Sequence, residues 1–128
     1  MNQLQILSHA QNLIFKIQSH NEEYDLKEFI STHNNYFSDI PLQSLLTYSY
    51  NRFQITTQSD FIYLIGSYIF FNVFGYPVTW LEKRHFAEYC ISEEWQLLFH
   101  KTLAVSEKLR FASLTELNEY LTILKHIS

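Results

Sequence analysis

The sequence predicts an all-α fold: a compact irregular bundle of six or seven helices with one central apolar helix, forming a single helical domain over residues 1–128. Three observations predict it. Apolar residues recur at helical spacing along most of the chain. Capping signals punctuate it at Asp25 with Glu28, Thr79 with Glu82, and Ser113 with Glu116. With two Gly and two Pro against 47% apolar residues, the chain is neither linker-rich, collagenous nor disordered.

The first helix is expected from about residue 2 to 19, where Leu4, Leu7, Ala10, Ile14 and Ile17 share one face, widened by Ile6 and Leu13, and Gln3, Gln5, Gln11 and Gln18 stay solvated. After Asn21, Glu22 and Glu23, a brief second helix starts at Asp25, turns Leu26, Phe29 and Ile30 inward and ends near His33. Asp39 and Pro41 supply a cap and a first-turn proline for a third helix reaching Tyr50, with Leu42, Leu45, Leu46 and Ser49 facing in. Phe53, Ile55 and Thr57 alternate as in a strand, but no pairing partner is visible, so Arg52–Thr57 reads as an extended linker.

Ser59 or Asp60 then caps a fourth helix carrying Ile62, Ile65, Ile69 and Val73, crowded on all sides and therefore the expected central one. Within it Gly66 suits close helix packing, and Gly75 suits a left-handed C-terminal cap before Pro77. A fifth helix opens at Thr79 and presents Trp80, Phe86 and Tyr89. Ser92, followed by Glu93 and Glu94, caps a sixth expected to reach Arg110 through Leu98, Thr102, Val105 and Leu109, with Lys108 and Arg110 at the favourable end of its dipole. Leu114, Leu117, Leu121 and Leu124 form the closing amphipathic helix.

The uncharged run from Phe61 to Leu81 invites a membrane reading. Asn72 interrupts it, and Gly75 with Pro77 stops the helix near Phe74, short of the roughly 20 residues a spanning helix needs. The opening residues lack the basic flank and apolar run of a signal peptide, so a cytoplasmic location is expected. Cys90, the only cysteine, precludes an intrachain disulfide and a thiolate zinc cluster, and reads as a buried thiol.

Nine basic and thirteen acidic residues give a formal charge of −4, so nucleic acid is not the default partner. His9, His20, His33, His85, His100 and His126 show no metal-site spacing, and with Gly66 and Gly75 as the only glycines there is no phosphate loop; no metal and no cofactor are expected. His85 with Glu88, three positions apart on a helix, forms the acid–base pair an enzyme would use, and His9 with His100 forms another if the fold brings them together. Lys83 and Arg84, with Trp80 and Tyr89 to stack on bases, are what a small helical nucleic-acid-binding regulator would use.

The leading expectation is a noncatalytic protein-binding module: an inhibitor, immunity-like antitoxin or adaptor that blocks or recruits a protein. Eleven Phe, nine Tyr and two Trp provide either core area or a binding face. Tyr36, Tyr48, Tyr50 and Arg52 are the candidate anchors, and Glu22, Glu23, Asp25 and Glu28 form an acidic segment suited to a partner with a basic surface. Homo-oligomerisation is left open by the sequence.

Overall fold

The computed structural model describes residues 2–19, 58–75, 91–104 and 106–127. They form four α-helices: α1 (Gln3–Gln18), α2 (Gln58–Phe74), α3 (Glu93–Leu103) and α4 (Leu114–Ile127), with a 3-10 turn at Glu107–Leu109 before the last.

Helices α1, α3 and α4 each start on a side chain that satisfies backbone N–H groups their first turn leaves without partners. In α1 the Asn2 Oδ1 accepts from the Gln5 amide at 2.9 Å, and Gln5 Oε1 accepts from the Asn2 amide at 3.0 Å, a reciprocal box. Ser92 Oγ accepts from the Trp95 amide at 3.4 Å to open α3, with Glu93 and Glu94 in the first turn. At α4, Ser113 Oγ accepts from the Glu116 amide at 3.1 Å, while the Glu116 carboxylate reaches back to the Ala112 amide at 3.3 Å. Helix α2 ends where Gly75 takes φ +82 and its amide donates to Phe71 O at 2.7 Å, a left-handed cap that favours glycine.

The apolar stripes then dictate packing. Ile6, Leu7, Ala10, Leu13, Ile14 and Ile17 bury one side of α1; Trp95, Leu98, Phe99 and Leu103 do so for α3; Leu114, Leu117, Leu121 and Leu124 for α4. Helix α2 is buried from Phe61 through Phe70. It packs on the other three helices, while α4 also packs on α1 and α3. Where α2 meets α3, Phe70 and Phe99 lie edge to face with ring centres 5.4 Å apart, joined by Phe74 and Trp95 around Phe99.

The expected bundle of six or seven helices with one central apolar helix is corrected on both points. Four α-helices are present among the described residues. The core is shared among the four helices, α1, α3 and α4 each contributing a buried apolar stripe beside the residues of α2. No helix among the described residues is long and apolar enough to cross a membrane. The helices expected over Asp25–His33, from Asp39 to Tyr50 and from Thr79, together with the Arg52–Thr57 linker and Cys90, lie outside the described residues.

Three finer expectations also change. Leu4 is 45% exposed and does not join the core face of α1. Ser59 does not cap α2, which already begins at Gln58. Helix α3 stops at Leu103, where Ala104 turns extended (ψ 139), instead of running to Arg110. The returning chain explains that stop: the Phe111 amide donates to Lys101 O at 2.9 Å and Arg110 Nε to Ala104 O at 2.8 Å, satisfying carbonyls at the helix end that further turns would otherwise have used.

Candidate functional site

Most of the site residues singled out from sequence fall outside the described segments. This holds for the anchors Tyr36, Tyr48, Tyr50 and Arg52, for the acidic Glu22, Glu23, Asp25 and Glu28, for the nucleic-acid set Trp80, Lys83, Arg84 and Tyr89, and for the pair His85 and Glu88. His9 lies half-buried on α1, and His100 and His126 lie exposed on α3 and α4. Among the described residues no group of three or more His, Cys, Asp or Glu is placed to hold a metal ion.

Two features of the described helices carry chemistry that the sequence did not announce. The first is Arg110, 5% exposed. Its Nη1 donates to Ser59 O at 3.1 Å and Ser59 Oγ at 3.0 Å, its Nε holds Ala104 O, and its guanidinium lies 5.2 Å from the centre of the Tyr63 ring. The arrangement ties the end of α3 to the beginning of α2. It is a strut, and a charge at the end of a helical sequence gave no sign that the chain would fold it inward.

The second is a set of large apolar side chains left outside. Phe15 is 70% exposed. On α1 it stands between Gln11 and Gln18, one helical stripe by spacing. Both glutamines are pinned to α4: Gln11 Nε2 donates to Thr122 Oγ1 at 2.9 Å, Lys125 Nζ to Gln11 Oε1 at 3.0 Å, and Gln18 Nε2 to Thr115 Oγ1 at 3.2 Å. The aromatic ring is thus displayed from a braced helix.

On the opposite flank of α4, α3 is fastened by two links. Tyr120 Oη donates to Glu94 O at 2.6 Å, and Lys101 Nζ pairs with Glu116 at 3.7 Å while lying over the Phe111 ring. Burial pushes the Tyr120 phenol above its ordinary value, and the Glu94 charge adds to the rise. Leu97 falls between Glu94 and Lys101 on its helix, and Ile123 and Ile127 continue the Glu116–Tyr120 stripe of α4. They are 46%, 54% and 57% exposed respectively. Glu93, Glu94 and Glu119 are exposed beside them.

Comparison of the chain with protein-family models, with curated proteins and with solved structures yields no match.

Proposed function

We propose that this chain is a noncatalytic protein-binding module, acting as an inhibitor, immunity-like antitoxin or adaptor through a preformed helical surface. The observation that supports it is the exposure of Phe15 on a helix held by side-chain hydrogen bonds on both sides of the ring. Aromatic side chains offer a large contact area at small entropic cost, and they anchor many protein interfaces. A helix already held in place presents the ring without a backbone-ordering cost when a partner covers it.

The test is affinity capture with the intact chain, identification of the bound protein, and reassembly of the pair from purified components. Phe15→Ala, and separately Tyr48→Ala with Tyr50→Ala, are expected to weaken binding, each truncated anchor costing about 1–4 kcal/mol, with the helical circular dichroism retained. A purified pair that binds all folded variants with unchanged affinity would reject these anchors, and the absence of any reconstituted protein complex would reject the reading itself.

A further inference from the structure

The outer face of α3 and α4 combines an aliphatic strip with carboxylates. Leu97, Ile123 and Ile127 are about half exposed, and they lie on neighbouring stripes joined by the Tyr120–Glu94 and Lys101–Glu116 links. The charges around the strip are unequal. Glu93, Glu94 and Glu119 are exposed along it, while Lys101, the lysine of this face, is engaged with Glu116; His100 and His126 stand exposed at its margins. Apolar area flanked by one sign of charge selects both the shape and the charge of what covers it.

We infer that this face docks a basic amphipathic helix of a protein partner, its apolar side on Leu97, Ile123 and Ile127 and its lysines or arginines toward Glu93, Glu94 and Glu119. The inference rests on the protein-binding reading and names the surface and the partner's chemistry. A second copy of the chain is the poorer occupant, because a two-fold contact sets the same carboxylates against each other. An anionic membrane is poorer for the same electrostatic reason.

The probe is a synthetic amphipathic helix of Leu and Lys, about five turns long, added to the full chain while the methyl resonances are followed by NMR. Controls are the Leu/Glu counterpart, a scrambled Leu/Lys peptide, and phosphatidylcholine vesicles with and without phosphatidylglycerol. The Leu/Lys helix should shift Leu97, Ile123 and Ile127, bind more weakly as salt rises, and lose about tenfold in affinity in Leu97→Ser with Ile123→Ser and in Glu93→Gln with Glu94→Gln and Glu119→Gln. Equal binding by the scrambled peptide, shifts centred on Phe15, unchanged affinity in both variants, or preference for the anionic vesicles would overturn it. If a captured protein binds the Leu97/Ile123 variant as well as it binds wild type, this face is wrong while the protein-binding reading survives; if no protein complex can be reconstituted, the reading fails and the inference that rests on it falls too.

Discussion

Gly66 of α2 and Thr102 of α3 meet so closely that a methyl group on the glycine would overlap Thr102 Oγ1 and lie 2.5 Å from its Cβ, with Leu103 Cδ2 at 3.1 Å. Thr102 cannot swing aside cheaply, since its hydroxyl donates to Leu98 O at 2.8 Å within a buried helix surface. Gly66→Ala should therefore destabilise the fold by about 1–3 kcal/mol in urea unfolding, despite alanine's better helix propensity. Thr102→Gly costs stability on its own, but combined with Gly66→Ala it should recover part of the first loss. A double-mutant cycle with no coupling would show that the two helices separate freely.

Ser67, one position along, points the other way. Its Oγ is buried and makes no hydrogen bond among the described residues. A buried hydroxyl without a partner costs about 1–3 kcal/mol of desolvation. Ser67→Ala should accordingly leave the protein as stable or raise its melting temperature, and a clear fall would reveal a bond to this oxygen.

Arg110→Ala removes three hydrogen bonds from a charged donor and leaves Ala104 O and Ser59 O to find other partners. A loss of at least about 1.5 kcal/mol is expected. Arg110→Lys should restore little, because a point charge cannot serve Ala104 and Ser59 with the planar fork of a guanidinium. Hydrogen exchange gives a local check: amides at the end of α3 and the start of α2 should lose protection together.

Tyr120 links stability to alkaline pH. Its pKa in the fold is raised from 10.0, by burial first and the Glu94 charge second, so the folded state holds the phenolic proton more tightly than the unfolded chain does. Its contribution is fully present below the unfolded value and is lost as pH rises through the folded one. Tyr120→Phe should flatten that alkaline decline, and phenolate absorbance should show one late-titrating tyrosine missing from the variant.

The fold was legible where local chemistry decides it. Ser92 with Glu93 and Glu94, Ser113 with Glu116, and Gly75 mark helix ends that the structure keeps, because a cap acts within one turn. Periodicity misled where it continued past a physical stop. Leu98, Thr102 and Leu109 stay in helical phase, yet Leu109 is 66% exposed, since Arg110 and Phe111 fold back on the end of α3. Hydropathy likewise cannot separate Phe15 from Phe70: both suit a core, yet Phe70 is buried and Phe15 is 70% exposed. The anchors and the acidic segment chosen from sequence lie outside the described residues, so the exposed faces of α1, α3 and α4 emerged from packing alone.

The hydrogen bonds from Gln11, Gln18 and Lys125 join α1 to α4, the first and last helices among the described residues, with about a hundred residues between the partners. During synthesis, α1 leaves the ribosome well before the helix that completes its surroundings. At typical elongation rates the interval is on the order of ten seconds. The helical fold thus carries a non-local closure step, and its folding should be slower than the helices of the described residues suggest, because the α1–α4 seam can form only after the entropy of the intervening chain has been overcome.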